Sequence, residues 1–190
     1  MARAGLSPAA VVDAAATLAD AEGLEALTLA AIAEAVGVRT PSLYNHVSGL
    51  GDVRRRLALL GMQELADVLR TAAIGRAGDD AVIATARAYR DYAHRHPGRY
   101  AAAQRAPDVA DDELAGAARS AVEVMLAILR GYGLEGDEAI HGARALRSAL
   151  HGFVSLEVAG GFGLPVALDE SFDRMVAALA RGIRERAVAA

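Results

Sequence analysis

The sequence of 190 residues contains no cysteine, no tryptophan and no lysine, and only 4% of its residues are aromatic. Without cysteine there can be no disulfide and no thiolate chemistry. Without lysine, any phosphate contact must come from arginine, histidine or neutral hydrogen-bond donors. The net charge of −4 argues against a general nucleic-acid binder, so any contact with DNA has to be local.

Long uncharged stretches are missing as well. Asp13, Asp20 and Glu22 interrupt the apolar N-terminal region before it reaches the length of a membrane span, which predicts a cytoplasmic protein that does not contact a membrane. Hydrophobic residues make up 54% of the chain, and the prominence of alanine among them favours helices over strands. Because glycine and proline fall between the periodic segments, we expect an all-α fold.

A pair of short helices joined by a glycine turn is predicted within residues 28–47. The hydroxyl of Thr28 can cap the first helix, and Gly37 can supply the left-handed backbone conformation that ends it. Apolar residues between these two positions follow a helical repeat and form one stripe: Leu29, Ile32, Ala33 and Val36. This layout is typical of a helix-turn-helix DNA-binding motif.

The second helix of the pair is predicted to begin at Pro41, with Thr40 as its cap. Leu43 and Val47, spaced i and i+4, should point into the domain. The remaining positions form an outer face without any acidic residue, as a surface that contacts phosphates requires. That outer face consists of Arg39, Thr40, Ser42, Tyr44, Asn45 and His46.

These residues carry a family resemblance. Thr28, Ala33, Gly37 and the run PSLYNHV resemble the DNA-binding domain of TetR/AcrR-type bacterial transcriptional regulators. The runs YRDYAHRHPGRY and LRSALHGFVSLEVAGGFGLP resemble a C-terminal half of the Trp-His-Gly variety, in which Leu150 here replaces the tryptophan. The resemblance implies a three-helix DNA-binding domain at residues 5–65, joined by a long helix to a helical ligand-binding and dimerisation domain at residues 66–190.

The resemblance and the side-chain chemistry together suggest individual roles in DNA binding. The Arg39 guanidinium can bind guanine O6 and N7 in the major groove, Tyr44 suits a phosphate contact, and Thr28 can contact a phosphate as well as cap its helix. Related proteins often place a lysine at the start of the fourth helix, where this chain has Leu50. Three arginines that follow could compensate or could form an ordinary solvated face: Arg54, Arg55 and Arg56.

The rest of the chain is predicted to be a series of helices separated by glycine and proline. Helix 1 starts at Pro8, directly after Ser7, and stops at Gly23. Pro97 and Gly98 are expected to interrupt the helix that precedes them. The later helices are predicted at about residues 51–73, 79–96, 113–131, 137–159 and 170–187, with a short piece near 100–105.

Two functional surfaces are expected in the C-terminal half. Wide apolar stripes on the last two helices fit either an internal core or a four-helix contact with a twofold mate, and the resemblance favours the homodimer. The residues assigned to that interface are Leu146, Leu150, Phe153, Phe172, Met175, Val176, Leu179 and Ile183. The resemblance also implies a pocket for an unidentified small-molecule effector, whose candidate residues could each equally be core or dimer residues: Met62, Tyr89, Tyr92, Met125, Arg147 and His151.

Catalytic, metal-binding and cofactor-binding functions are not indicated. His94 and His96 are about 200° apart around a helix, which excludes a shared metal ion, and about 15 Å of helix rise separates His141 from His151. No nucleophile elbow or phosphate loop is present. The glycine-rich run at residues 160–163 suits the end of a helix better than a phosphate site.

We therefore expect a non-enzymatic, ligand-responsive transcriptional regulator, a repressor that binds a palindromic operator in double-stranded DNA as a homodimer. The resemblance implies that the effector tilts the fourth helix, changes the distance between the two DNA-binding domains and releases the operator. This mechanism requires a ligand that prefers the released state. The alternative, favoured by the low basic charge and by Leu50, is a helical small-molecule binding protein that no longer binds DNA.

Overall fold

The computed structural model describes residues 6–104 and 111–189, and within these stretches it contains helices and turns but no strand. The predicted all-α fold is confirmed. A short 3₁₀ turn at Leu24–Ala26 follows the first helix. The α-helices are α1 (Pro8–Glu22), α2 (Leu29–Ala35), α3 (Thr40–Leu43), α4 (Leu50–Ala73), α5 (Gly78–Arg95), α6 (Pro97–Ala103), α7 (Asp112–Arg130), α8 (Gly136–Val158) and α9 (Leu168–Ala189).

Most helix ends lie within one or two residues of their predicted positions, because capping residues and glycines mark them. Ser7 Oγ accepts a hydrogen bond from the backbone N–H of Ala10 at 3.2 Å, and Pro8 occupies the first turn of α1. Gly160, at φ 68°, follows the C-terminal residues of α8, so the glycine-rich run is a helix end.

Pro97 does more than interrupt a helix. It stands in the first turn of α6, where its missing N–H costs nothing, so α6 begins three residues earlier than the predicted piece at 100–105. Arg105, the predicted last residue of that piece, lies outside the described residues.

The described chain divides into two compact units. The first contains the residues up to Met62 together with the described part of Arg95–Ala115. In it, α1 packs against α2 and α6, and α2 packs against α3. Its buried apolar cluster is built from small and branched side chains: Val11, Ala15, Ala16, Ala19, Leu27, Ile32, Ala33, Leu43, Val47, Val53, Leu57, Ala58, Ala102 and Leu114.

The backbones of α1 and α6 approach each other closely at Gly98. A Cβ atom at this position would overlap the backbone carbonyl and the Cβ of Ala19, so only glycine fits the crossing. Next to it, the Asp20 carboxylate accepts hydrogen bonds from the backbone N–H groups of Gly98 and Arg99, both at 3.0 Å. Asp20 thereby satisfies free N–H groups at the start of α6 from another helix, and these contacts fix α6 to α1.

The second unit contains Gln63–His94 and the described residues from Gly116 onward. Tyr89 and Tyr92 are both 2% exposed, and the Tyr92 hydroxyl donates to Glu64 Oε2 at 2.9 Å. Helices α8 and α9 pack against each other. The domain boundary predicted at residue 65 stays a prediction, although the described residues of Arg95–Ala115 group here with the N-terminal part of the chain.

A charged cluster links α5 to the end of α8 within this second unit. Arg90 donates to Glu157 at 2.5 and 2.8 Å, and His94 Nε2 lies 2.8 Å from Glu157 Oε2. The Arg90 guanidinium also lies 4.8 Å from the ring centre of Phe172 and 5.9 Å from that of Phe153. The hydrogen bonds from Arg90 hold the pKa of the Glu157 carboxyl below its usual range, against the opposing effect of burial.

Among the described residues, no helix has the length and hydropathy needed to cross a membrane.

Candidate nucleic-acid interface

The start and end of α2 follow the sequence pattern. Thr28 Oγ1 accepts a hydrogen bond from the backbone N–H of Ala31 at 3.1 Å, which confirms the predicted cap. Gly37 has φ 71°, a conformation that favours glycine and lets the chain turn toward the next helix. Ile32 and Ala33 are buried, so the apolar stripe of α2 faces the core of the first unit.

Helix α3 begins one residue earlier than predicted and is short. Arg39 is its cap residue and Thr40 its first helical residue, and no side chain caps it. The prediction that Thr40 caps this helix is therefore wrong. Turns follow at residues 44–46, and the burial of Leu43 and Val47 orients the segment as the i, i+4 spacing predicted.

The predicted DNA-contacting side chains lie mainly on the surface. Thr28, Arg39, Ser42, Tyr44 and Asn45 are exposed, and Tyr44 retains 60% of its surface. Thr40 and His46 are half-buried. The exposed ring of Tyr44 leaves its hydroxyl available as a hydrogen-bond donor, as a phosphate contact requires.

The side chain of Arg39, at the start of α3, has no partner among the described residues. Within the described residues its guanidinium forms no hydrogen bond and no ion pair. The nearby arginines of α4 differ, since Arg56 Nε donates to Asp52 at 2.8 Å and Arg54 lies 3.8 Å from Glu25. A contact from Arg39 to a bound partner would therefore break no hydrogen bond or ion pair seen among the described residues.

Arg55 is bound more tightly than its two neighbours. Its guanidinium donates to both carboxylate oxygens of Asp111, at 2.6 and 2.7 Å, and to Glu113 at 3.0 Å. The hydrogen bond from Arg55 and one from the backbone N–H of Leu114 hold the pKa of the Asp111 carboxyl below its usual range. All three arginines thus lie beside carboxylates of the protein, which differs from the ordinary solvated face, and partial compensation for the missing lysine stays a prediction.

The start of α4 has its own capping contact. Asp52 Oδ2 accepts a hydrogen bond from the backbone N–H of Ser48 at 3.0 Å. Burial tends to raise the pKa of the Asp52 carboxyl, but the hydrogen bonds from Arg56 and Ser48 lower it overall. Leu50 is half-buried and packs against the apolar cluster of the first unit, so the residue that replaces the lysine contributes to packing.

The candidate effector residues do not gather around the large cleft of the second unit. That cleft, of about 830 Å³, lies between the end of α4, the start of α5 and α7, and none of the six candidates lines it. Met62, Tyr89, Tyr92 and Met125 are buried, Arg147 is exposed and His151 is half-buried. Their role in ligand binding stays a prediction.

Five of the eight candidate dimer residues are buried within one chain: Leu146, Leu150, Phe172, Val176 and Ile183. Phe153, Met175 and Leu179 are half-buried. The Phe153 ring also packs against Phe172 and Phe162, with ring centres 5.3 and 4.9 Å apart. The core of the single chain therefore accounts for much of the wide apolar stripe, and the predicted dimer contact would have to use side chains that are still at least partly exposed.

Comparison with known families gives two matches on this chain. A model described as bacterial regulatory proteins, tetR family, matches residues 11–48, which include α2 and α3. A model described as tetracyclin repressor-like, C-terminal domain, matches residues 82–179. The finer assignment to the Trp-His-Gly variety is not confirmed by this second match.

Similar proteins include two HTH-type transcriptional regulators. Rv0681 of Mycobacterium tuberculosis is 44% identical over 184 residues, covering 96% of this chain and 84% of that protein. YobS of Bacillus subtilis is 40% identical over 159 residues, covering 81% of this chain and 80% of that protein. The structure of the TetR family protein ActR of Streptomyces coelicolor with (S)-DNPA has the same fold, with a TM-score of 0.68 and 20% identity over 97% of this chain and 100% of ActR.

Proposed function

Since the chain belongs to the tetR family of bacterial regulatory proteins, a family of DNA-binding transcriptional regulators, we propose that it is a repressor. In this proposal a homodimer binds a palindromic operator and a small-molecule effector releases it. The observation that carries the proposal is Arg39, an exposed guanidinium at the start of α3 that has no partner within the described residues. It is available for the major groove.

The division of roles on the DNA follows from the side-chain chemistry. Arg39 binds guanine O6 and N7 and selects one base pair in each half-site. Tyr44, together with Thr28 and other neutral donors, contacts phosphates and positions α3 without selecting a sequence. The remaining hydrogen-bonding residues of this surface are Thr40, Ser42, Asn45 and His46.

The homodimer is supported by the outer surfaces of α8 and α9. A Cβ atom on Gly152 or on Gly182 would meet no heavy atom within 4 Å, so another helix could approach both positions closely. Leu156, one turn beyond Gly152, exposes 51% of its surface. A twofold contact through these surfaces would bury them. On a palindromic operator the two copies of α3 would occupy successive major grooves, about 34–36 Å apart.

Release by an effector requires unequal affinities. An effector lowers operator affinity only if it binds the operator-free population of the dimer more tightly than the operator-competent population. The structure of ActR with (S)-DNPA supports the expectation that proteins of this fold bind small molecules, and we extend that expectation to the second unit of this chain.

Selection from a random pool of DNA duplexes at moderate salt tests the proposal. We expect the wild-type protein to enrich a palindrome, and Arg39→Ala to lose about 1–3 kcal/mol of binding free energy and relax one base position in each half-site. Arg87→Ala is the matched control, because Arg87 is an exposed arginine of α5 paired with Asp173 at 3.1 Å. It should enrich the same palindrome as the wild type.

Two outcomes would contradict the proposal. Equal loss by Arg39→Ala on the palindrome and on random DNA would exclude base contact by this residue. No enrichment by a protein that sediments as a folded dimer would favour the helical small-molecule binding protein without DNA-binding activity.

A further inference from the structure

The large cleft of the second unit has the size of a small-molecule site. Its volume of about 830 Å³ falls within the roughly 300–1,000 Å³ common for ligand pockets. One wall is formed by the end of α4 and the start of α5, and the other by the middle and end of α7. The lining lies entirely within the second unit, so the shape of the cleft is set by that unit alone.

Part of each wall of the cleft is apolar and is built largely from small side chains. Ala73 and Ala77 face it from the first wall, and Val124, Ala127 and Ile128 from α7. Ile74, also in the lining, exposes 69% of its surface. A slender or flat apolar group in the cleft would remove this surface from water.

The charge of the lining is opposite in sign to that of the whole protein. Four arginines line the cleft against one carboxylate, that of Glu123, whereas the chain carries a net charge of −4. The four arginines are Arg70, Arg76, Arg119 and Arg130. This concentration of positive charge beside an apolar surface favours an anion attached to an apolar body.

Two of these arginines have no carboxylate partner among the described residues. Arg70 pairs with Asp67, and Arg130 lies 3.3 Å from Glu123. In contrast, the Arg76 guanidinium donates only to the Ala72 carbonyl, at 2.8 Å, and the Arg119 guanidinium forms no hydrogen bond or ion pair within the described part of the chain. Arg119 is therefore available to bind an anion from solution.

We propose that this cleft binds an organic acid, with its carboxylate on Arg119 and Arg76 and its apolar part between α7 and the α4–α5 wall. A guanidinium can hold a carboxylate through two parallel hydrogen bonds. Binding of such an acid goes beyond the proposed function. Its identification as the effector rests on the proposed function and is tested separately.

Calorimetric titration with matched probes tests the binding. Decanoate and 2-naphthoate each carry a carboxylate on an apolar body, as the cleft requires. Decanol and 2-naphthol have the same apolar bodies without the negative charge. We expect at least one acid to bind at one saturable site per chain, and its neutral counterpart to bind at least about tenfold more weakly, as the loss of a charge-assisted hydrogen bond implies. Failure of both acids to bind, or equal binding of an acid and its neutral counterpart, overturns the proposal.

Substitutions locate the site. Arg119→Gln should weaken acid binding about tenfold, and Ala127→Phe should abolish it by filling the cleft. Glu123→Gln should strengthen it several-fold, because the repelling carboxylate is removed and Arg130 is released. Arg87→Gln, outside the cleft, is the control for loss of one positive charge and should leave binding unchanged.

Arg119, Glu123 and Ala127 are exposed, so these variants should fold, and thermal unfolding checks that they do. Unchanged acid binding in the folded Arg119→Gln and Ala127→Phe variants overturns the assignment to this cleft.

The effector role is tested by measuring the affinity of the protein for the selected palindrome with and without the acid. If the acid weakens DNA binding of the wild type but not of Arg119→Gln, the cleft is the effector site. If the acid binds and DNA affinity stays the same, the effector assignment is overturned. Failure of the acid-free protein to select any palindrome would instead contradict the proposed function, which makes the two failures distinguishable.

Discussion

Arg39 differs from the other described arginines near α3 because its guanidinium has no carboxylate partner. Arg54, Arg55 and Arg56 each lie beside at least one carboxylate, whereas Arg39 lies beside none among the described residues. A free guanidinium can bind a base edge at no cost in internal ion pairs, whereas a paired one must first lose its partner. This is why we propose that Arg39 selects the base pair in each half-site.

Tyr44 provides a test of phosphate contact at the residue scale. Tyr44→Phe removes one hydroxyl and should weaken binding by about 1 kcal/mol for each protomer, equally on the operator and on unrelated duplexes, since phosphates carry no sequence information. Fluorescence anisotropy with both kinds of duplex measures the loss. A loss confined to one base position would reassign Tyr44 to base contact.

His151 makes stability depend on pH. Burial, and then the nearby Arg147, lower the pKa of the His151 imidazole below 6.5, so the folded state favours the neutral ring. This contribution to stability is fully present above pH 6.5 and is lost as pH falls through the lowered pKa. His151→Gln should therefore lose less stability than the wild type between pH 7 and pH 5, by less than about 1 kcal/mol for a partly exposed ring.

Urea unfolding midpoints of both proteins at the two pH values measure this difference. Identical midpoint shifts in wild type and variant would show that His151 does not contribute.

Local contacts at the residue scale could be predicted, and distant ones could not. The cap by Thr28 follows from a hydroxyl placed before a helical repeat. The partners of Arg55 could not be predicted, because Asp111 and Glu113 lie more than fifty positions away and no periodicity connects them. The two arginines of the cleft without a carboxylate partner among the described residues, Arg76 and Arg119, were missed for the same reason.

At the scale of elements, the helices that glycine and proline delimit were predicted well. Helix α6 was placed too late because a proline in a sequence can stop one helix or start another, and here Pro97 does both. The carboxylate that supports the start of α6 belongs to Asp20 on α1. A contact between helices this far apart in the sequence leaves no local signal.

The close crossing of α1 and α6 predicts that even an alanine at position 98 lowers the stability of the fold. Gly98→Ala would place a methyl group into the Ala19 backbone, so we expect a loss of at least about 1–3 kcal/mol in the free energy of unfolding. Gly116→Ala is the control, because a Cβ at that position of α7 would meet only the tip of Arg119, at 3.8 Å.

In the control, alanine should leave stability unchanged or raise it by up to about 1 kcal/mol. Urea unfolding measures both variants. Equal stability of the two variants would show that α6 can move away from α1 without cost.

At the scale of the whole molecule, the sequence left open whether the wide apolar stripes of α8 and α9 form a core or an interface. Periodicity identifies the apolar side of a helix but not what covers it. The structure covers Leu146 and Phe172 within the chain and leaves Gly152, Leu156 and Gly182 toward solvent. The surface proposed for the dimer contact is therefore narrower than the apolar stripes that the sequence predicts on α8 and α9.

The charge distribution of the molecule predicts a weak dependence of DNA binding on salt. With Arg54, Arg55 and Arg56 paired internally, few cations remain to release counterions from DNA, so the slope of log K against log salt concentration should be shallow. Leu50→Lys should strengthen binding and steepen the slope by about 1 for each protomer. Leu50→Gln is the uncharged control. A steep slope in the wild type would mean that the paired arginines exchange their carboxylates for phosphates.

The close approach of α1 and α6 also constrains how this protein can diverge. Where Gly98 passes the Ala19 backbone, a larger residue at position 98 requires the two helices to separate, and a larger residue at position 19 crowds the same crossing. Homologous sequences should therefore keep both positions small, or change them together with the residues that set the helix spacing. Positions 19 and 98 are expected to covary although 78 other residues lie between them.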